Sequence, residues 1–130
     1  MGQHNQRNAL AAAAAALALV VPLAAIKSGL EAFTGVAGRL QMYRGHNSAT
    51  IIDDTYNANP DSVKAAIAVL AKLPPPRILV LGDMGELGHE AADMPADVVS
   101  FARDAGIESL CATGALMRRA VDVFGTGGDH

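Results

Sequence analysis

Aromatic residues are scarce in this chain, and basic residues are not concentrated anywhere along it. The 130 residues include no tryptophan, two tyrosines and three phenylalanines, and the net charge is −3. Proteins that bind nucleic acids present basic surfaces, and those that bind single strands also stack bases on aromatic rings. Both features are weak here, so we do not expect a nucleic acid partner.

Cysteine and the common metal-binding motifs are also scarce. The single cysteine, Cys111, cannot form an internal disulfide, which fits a reducing compartment. Its apolar neighbours predict a buried structural residue. His46, His89 and His130 lie in predicted loops, and the chain has no HxxxH or CxxC spacing. We therefore predict no structural metal site.

The longest apolar run lies near the amino terminus. Residues 1–25 hold a single arginine and an alanine-rich stretch that resembles a secretory leader, so export is one alternative. The run is weakly hydrophobic and is interrupted by Pro22, which argues against a membrane span. We expect instead a helix of strong helix formers over 5–20 and a second helix over 24–33.

Beyond a glycine-containing stretch at 34–39, predicted strands and helices alternate at short spacing. Strands are predicted over 40–43, 49–53, 78–81 and 107–112, and helices over 61–72, 96–104 and 115–124. This alternation predicts an α/β fold with a doubly wound, mostly parallel sheet. The fully apolar strand 78–81 is typical of a strand that is covered on both faces. The glycine-rich tail 125–130 is expected to fray.

Helical spacing predicts which apolar side chains of the three later helices are buried. These are Val63, Ala66, Ile67, Leu70 and Leu73, then Val98, Phe101, Ala102 and Ala105, and finally Leu116, Ala120 and Val123. Asp61 and Ser62 are the candidate caps for the first of these helices.

A polar cluster follows the predicted strand 49–53. Two carboxylates, a tyrosine and two carboxamides lie within Asp53-Asp54-Thr55-Tyr56-Asn57-Ala58-Asn59. Right-handed crossovers would bring the strand ends at Asp53, Gly82 and Thr113 to one edge of the sheet, where open α/β sheets bind ligands.

The two adjacent carboxylates of this cluster allow more than one role. Asp53 and Asp54 could bind a ribose diol or a magnesium ion, or share a proton. Adjacent residues on a strand point to opposite faces, so a dyad is disfavoured. The alternative is a turn in which each carboxylate accepts hydrogen bonds from nearby N–H groups.

Polar groups near the amino terminus and in the glycine-containing stretch could also contact a ligand. His4, Asn5 and Asn8 would share one helix face, where a carboxamide matches an adenine edge and the helix start attracts phosphate. The alternative is that Asn5 only caps the helix. Arg39 can bind phosphate oxygens through two N–H groups, and the alternative is an ordinary surface arginine.

The segment Gly82–Gly88 has a glycine at every third position, which permits close backbone approach. It matches neither the dinucleotide-binding nor the phosphate-loop motif. It is therefore either a binding loop or a tight crossover.

Together these segments resemble the Mur ligases of peptidoglycan synthesis. The matching strings are Gly2-x-His4-Asn5-x-x-Asn8-Ala9-Leu10-Ala11-Ala12, Gly38-Arg39-Leu40-Gln41, Ile52-Asp53-Asp54-Thr55-Tyr56-Asn57-Ala58-Asn59-Pro60-Asp61-Ser62 and Val80-Leu81-Gly82-Asp83-Met84-Gly85-Glu86-Leu87-Gly88. The first string is common to the family. The last two are similar to the members that add D-alanyl-D-alanine.

The resemblance implies ATP-dependent amide-bond formation in the cytoplasm. In this family ATP phosphorylates the terminal carboxylate of a UDP-N-acetylmuramoyl-tripeptide, and the amine of D-alanyl-D-alanine attacks the acyl phosphate. It also implies Mg²⁺ as a cofactor, with its ligands outside this chain, and a full-length protein that is a monomer without a membrane partner.

The resemblance further implies a division into domains. Residues 1–38 would be the helical end of a central ATP-binding domain. Residues 39–130 would be an incomplete, Rossmann-like carboxyl-terminal domain.

Individual roles follow from the same resemblance. Asn5 and Asn8 would contact the adenine, Arg39 the nucleotide phosphates and Asp54 the ribose. Asn57 and Asn59 are similar to the carboxamides that face the substrate in the closed active site.

The chain also departs from the family. It contains no GKT or GKS phosphate loop, no counterpart of the glutamate and modified lysine that hold magnesium, and no UDP-sugar domain. Pro95 and Val99 stand where the family more often has a histidine and a glycine. We therefore expect part of a ligase, inactive alone. The alternative is a free-standing Rossmann-like module that binds a nucleotide or another ligand without catalysis.

Overall fold

The structure of the chain, a computed structural model, describes residues 3–85 and 94–130. The residues divide into two compact units, 1–36 and 37–130. The first unit is helical and the second mixes helices with strands, including a parallel sheet. The α/β class predicted from the sequence is therefore confirmed.

The first unit consists of two helices that contact each other. Helix α1 covers Gln3–Ala18 and helix α2 covers Leu23–Ala32, so both predicted helices are confirmed with small shifts at their ends. Pro22 precedes α2 with a φ of −60°, which suits the entry to a helix. In the described part of the chain, no helix is long and apolar enough to cross a membrane.

The second unit begins with an antiparallel hairpin and continues as alternating helices and strands. The hairpin pairs β1 (Gln41–Arg44) with β2 (Thr50–Asp53). The later elements are α3 (Pro60–Leu70), β3 (Ile78–Leu81), α4 (Met94–Asp104), β4 (Ser109–Ala112), α5 (Ala115–Phe124) and β5 (Gly128–Asp129). Strands β3, β4 and β5 lie side by side in that order and are parallel.

The pairing of β2 corrects one prediction, because Asp53 does not share a sheet edge with Gly82 and Thr113. Among the described residues, β2 pairs with β1 across a short turn closed by a hydrogen bond of 2.8 Å from Gly45 N to Ala49 O. So short a connection suits antiparallel pairing. The ends of β3 and β4 do meet, since Thr113 N donates to Leu81 O at 3.0 Å.

The core lies between one face of the parallel sheet and the helices α3, α4 and α5. The connections through α4 and α5 step across the sheet in the same direction, so right-handed crossovers place both helices on the same face. Leu81 and Leu110 point into this core, whereas Ile78 and Val80 are 56% and 74% exposed. In the described residues, the prediction that strand 78–81 is covered on both faces is therefore wrong.

Two further predictions for this sheet are also wrong. Cys111 lies opposite Val80 in the register and is exposed, because alternate residues of a strand face opposite sides. The tail does not fray as expected. Gly128–Asp129 pairs with β4 as strand β5, and the His130 ring nitrogen Nε2 lies 2.8 Å from Gly114 O.

Helices α4 and α5 bury faces with regular spacing, but in a different register from the predicted one. The buried residues are Pro95, Val98, Val99 and Ala102 in α4, and Met117, Ala120, Val121 and Phe124 in α5. Each set follows the spacing i, i+3, i+4, i+7. The predicted burial of Phe101, Leu116 and Val123 is wrong, since each is more than a third exposed. Apolar residues occupy neighbouring faces in both helices, so their spacing does not select one.

Helix α3 begins with a cap that the sequence analysis did not assign. Asn59 Oδ1 accepts a hydrogen bond of 2.9 Å from Ser62 N, and Ser62 Oγ accepts one of 3.1 Å from Asn59 N. This reciprocal pair is a capping box. The cap is therefore Asn59, and not Asp61 or Ser62. Of the predicted core face, Val63 and Ile67 are buried.

Helix α5 is capped by a residue from another loop. Gly114 precedes the helix and has no side chain to offer, while Asp83 Oδ1 accepts hydrogen bonds from Leu116 N at 3.1 Å and Met117 N at 3.0 Å. A side chain at Gly114 would collide with the Asp83 carboxylate, and its φ of +109° also favours glycine. Asp83 thus joins the end of β3 to the start of α5.

An ion pair joins the segments that lead into β3 and β4. The Arg77 guanidinium donates to both carboxylate oxygens of Glu108, with Nη2 to Oε1 at 2.6 Å and Nε to Oε2 at 3.1 Å. Arg77 N donates to the same carboxylate at 2.8 Å, and Arg77 Nη1 donates to Ala71 O at 2.9 Å. These hydrogen bonds lower the pKa of Glu108 from 4.5 to about 2.

The variant Glu108→Gln should change the pH dependence of unfolding. A lowered pKa in the folded state stabilises the fold at pH values above 4.5, and this stabilisation is lost as the pH falls toward 2. The free energy of unfolding of the native chain should therefore fall through this range more steeply than that of the variant. Urea unfolding across the range measures both slopes. Asp104→Asn, at an exposed pair with Arg103, is the control, and equal slopes for native chain and Glu108→Gln would contradict the prediction.

The variant Asp83→Ala should destabilise the second unit by about 1 kcal/mol, the usual cost of losing a helix cap. Asp83→Asn keeps an acceptor oxygen and should lose less. Urea unfolding followed by circular dichroism measures the difference. Asp122→Ala, on the exposed face of α5, is the matched control. If Asp83→Ala and Asp122→Ala unfold at the same urea concentration, the cap does not stabilise α5.

Candidate functional site

The candidate site is formed where the loop Gly38–Leu40 packs on the turn Asp54–Tyr56, here called the turn cluster. Tyr56 N donates to Gly38 O at 3.0 Å, and Leu40 N donates to Asp54 Oδ1 at 3.0 Å. The central atom of the Arg39 guanidinium, Cζ, lies 4.3 Å from the centre of the Tyr56 ring. Three contacts therefore fix a cation beside a carboxylate at the end of β2.

Gly38 permits this close approach. It is buried and has a φ of +70°, and a β-carbon there would lie 3.0 Å from Tyr56 N. Both the positive φ and the limited space disfavour any other residue. The Gly38-Arg39 pair singled out in the sequence thus belongs to the second unit, where it is held against the Asp54–Tyr56 turn.

The two adjacent aspartates have separate partners. Asp53 Oδ1 accepts hydrogen bonds from Thr55 N at 3.1 Å and from Thr55 Oγ1 at 2.7 Å, which is a local turn of the Asx type. Asp54 is half-buried, and its Oδ1 accepts the hydrogen bond from Leu40 N. Each carboxylate thus accepts backbone N–H groups, as the turn alternative predicted. A role of Asp54 at a ribose stays a prediction.

The carboxamides that follow have different surroundings. Asn57 is exposed in the loop between β2 and α3. The side-chain oxygen of Asn59 caps α3, so this residue has a structural role that the sequence analysis did not assign. Contact of either residue with a substrate stays a prediction.

Asn5 and Asn8 lie on α1 in the first unit. They are three residues apart and therefore share one face of the helix. Asn5 is half-buried and Asn8 is exposed. Because α1 already includes Gln3, Asn5 lies in the first turn and is not the cap, so the capping alternative is wrong. Their contact with adenine stays a prediction.

Sequence reasoning missed two residues that organise the second unit, Tyr56 as the partner of Arg39 and Asp83 as the cap of α5. A signal for Asp83 was available, because a glycine at a helix start leaves N–H groups that need a cap from elsewhere. No sequence signal pairs Tyr56 with Arg39. Of the predicted Gly82–Gly88 loop, residues 86–88 lie outside the described residues, as does His89.

The cofactors implied by the resemblance fit this chain unequally. An exposed guanidinium at a fixed position is suited to the phosphates of ATP, so Arg39 can contribute to nucleotide binding. For magnesium, residues 3–85 and 94–130 contain no group of three or more His, Cys, Asp or Glu side chains that could hold a metal ion. We therefore assign no magnesium ligand and no metal-dependent step to these residues.

Comparison with curated proteins gives full-length coverage of this chain. It is 40% identical over 129 residues to the UDP-N-acetylmuramoyl-tripeptide–D-alanyl-D-alanine ligase of Escherichia coli K12. The match covers 99% of this chain and 28% of that relative. The corresponding ligase of Haemophilus influenzae is also 40% identical, over 88% of the chain and 25% of that relative. The chain thus spans just over a quarter of the length of the relatives it matches.

Solved structures agree. A crystal structure of MurF from Acinetobacter baumannii superposes with a TM-score of 0.86 at 38% identity, over 95% of this chain and 27% of that one. The MurF ligase of Thermotoga maritima, solved in complex with ADP, has a TM-score of 0.60 at 24% identity and supports the fold alone. Residues 38–130 match the family described as Mur ligase, glutamate ligase domain. The chain therefore belongs to the Mur ligase family.

Proposed function

We propose that this chain is part of an ATP-dependent ligase that adds D-alanyl-D-alanine to UDP-N-acetylmuramoyl-tripeptide. The observation that carries the proposal is the 40% identity, over 99% of the chain, to a relative with that name. In such a reaction ATP supplies the phosphoryl group that activates the tripeptide carboxylate for attack by the dipeptide amine. Since ATP and the UDP-linked precursor are cytoplasmic metabolites, we propose a cytoplasmic location.

We further propose that the domains and roles implied by the resemblance apply here. Residues 1–38 would end the central ATP-binding domain, and 39–130 would form most of the carboxyl-terminal domain. Asn5 and Asn8 would contact the adenine.

In the second unit, Asp54 would contact the ribose, and Asn57 and Asn59 would face the substrate. Asp54 supports this role by its position, because it lies in the turn cluster beside Arg39. The magnesium ligands would lie elsewhere in the enzyme, with the phosphate loop.

Arg39 has the strongest physical support among these residues. It is exposed, and the contacts on either side of it fix its backbone in the turn cluster. Within the described residues, the salt bridges are Lys27–Glu31, Arg77–Glu108 and Arg103–Asp104, so Arg39 is in none of them. Its positive charge is therefore available to an anionic ligand such as a nucleotide phosphate.

A hybrid enzyme tests the proposal. The segment of the Escherichia coli ligase that matches this chain is replaced by the chain itself, and phosphate release is measured with ATP, tripeptide precursor and D-alanyl-D-alanine. We expect turnover that requires all three. In the hybrid, Arg39→Ala should lower kcat/KM for ATP about ten- to a hundredfold, the range for a lost charge-assisted hydrogen bond.

Arg44→Ala is the matched control, since Arg44 is an exposed arginine at the end of β1 in the same unit. It should leave the ATP kinetics almost unchanged. A hybrid that is folded by circular dichroism and binds the UDP-linked precursor, but shows no turnover, would contradict the proposed activity. Equal effects of the two arginine variants would contradict the role of Arg39.

The free-standing module predicted as an alternative makes a different prediction for the 130-residue chain. Calorimetry with ATP, ADP and D-alanyl-D-alanine should detect little nucleotide binding, because the chain has no glycine-lysine phosphate loop to hold the phosphates. Micromolar binding of ATP or ADP would instead favour a module that binds nucleotides without catalysis.

A further inference from the structure

Arg39 is held on both sides by its backbone neighbours. The carbonyl of Gly38 accepts from Tyr56 N, and the amide of Leu40 donates to the Asp54 carboxylate, each at 3.0 Å. The position of the Arg39 α-carbon in the turn cluster is thereby fixed. Its long side chain still has several rotatable bonds, and ordering such a side chain on a ligand costs conformational entropy.

The Tyr56 ring is the group that restrains this side chain. Arg39 Cζ lies 4.3 Å from the ring centre, within the distance at which a guanidinium is attracted to an aromatic face. The ring is itself 67% exposed, and its backbone N–H is tied to Gly38. Arg39 and Tyr56 therefore hold each other across the two segments of the turn cluster.

An aromatic partner has a different consequence from a carboxylate. A carboxylate such as Glu108 beside Arg77 neutralises the guanidinium and occupies its N–H donors. A ring orients the guanidinium from one face, while the positive charge remains and the N–H donors stay at the edge of the group. Restraint of Arg39 by Tyr56 is thus compatible with binding an anion.

We propose that Tyr56 is a positioning residue that holds the Arg39 guanidinium in place for the phosphates of ATP. The inference rests on the proposed function, because that function supplies the polyphosphate ligand. It assigns to Tyr56 a role that acts through Arg39 and needs the aromatic face. The tyrosine hydroxyl group has no part in it.

The first test observes the contact directly in the 130-residue chain by NMR. Protons of the Arg39 side chain above the ring should be shifted upfield by the ring current. The shift should persist in Tyr56→Phe and disappear in Tyr56→Leu. Unchanged Arg39 resonances in Tyr56→Leu would overturn the inference, since the ring would then not hold the guanidinium.

The second test measures the consequence in the hybrid ligase, as KM for ATP and as Kd for ADP by calorimetry. Tyr56→Leu should raise both about two- to fivefold, the range for an exposed cation–π contact, with a smaller change in kcat. Tyr56→Phe should restore native values. A fall in kcat with KM and Kd unchanged would overturn the inference.

A double-mutant cycle separates positioning from a general structural effect. In the Arg39→Ala background, Tyr56→Leu should cause no further rise in KM or Kd, because the residue through which it acts is gone. A further rise of the same size would overturn the inference.

The two proposals fail in different ways. A folded hybrid without turnover counts against the ligase assignment, and the nucleotide role given to Tyr56 falls with it. A hybrid that turns over normally, with Tyr56→Leu kinetics equal to native, overturns the inference on Tyr56 alone.

Discussion

The second unit depends on the direction in which its parallel strands are connected. Strands β3, β4 and β5 follow one another across the sheet in a single direction, so right-handed crossovers stack α4 and α5 on the same face. All of the tightly packed side chains lie on that side, with Leu110 and Met117 fully buried between sheet and helix. The same constraint leaves Val80 and Cys111 on the other face, exposed in the described residues. Burial in this unit therefore follows from topology as much as from hydrophobicity.

Close backbone approach at two glycines connects this scaffold to its loops. At Gly114 the missing side chain makes room for Asp83, which caps α5 from the end of β3. At Gly38 it lets a loop pack on the turn after β2, where Tyr56 and Asp54 hold the residues around Arg39. In both places a carboxylate accepts backbone N–H groups from a distant segment. Membership of the Mur ligase family gives the second contact its interest, because it fixes an exposed cation where the proposed reaction needs one.

Several features could be predicted from local sequence. Pro22 and the proline run after Leu73 mark helix boundaries, and all the predicted helices and strands outside the undescribed segment are present with small shifts at their ends. The cap of α3 was misassigned by a few residues, since Asn59, Asp61 and Ser62 are all good capping residues and only the backbone conformation selects one. The inward faces of α4 and α5 were misassigned because apolar residues occupy adjacent faces, and Phe101 and Val99 compete for the same side.

The sequence by itself determined the α/β class, the elements and the family, because periodicity, glycine and proline positions and the DDTYNANPDS string are properties of the chain. Tertiary structure decided what those elements contact. It paired β2 with β1, left Val80 exposed, gave Asn59 and Asp83 to helix caps and brought Tyr56 to Arg39. The physical reason is that these contacts join segments far apart in the chain or depend on which sheet face a helix covers. Local propensity and hydrophobic period carry no information on either.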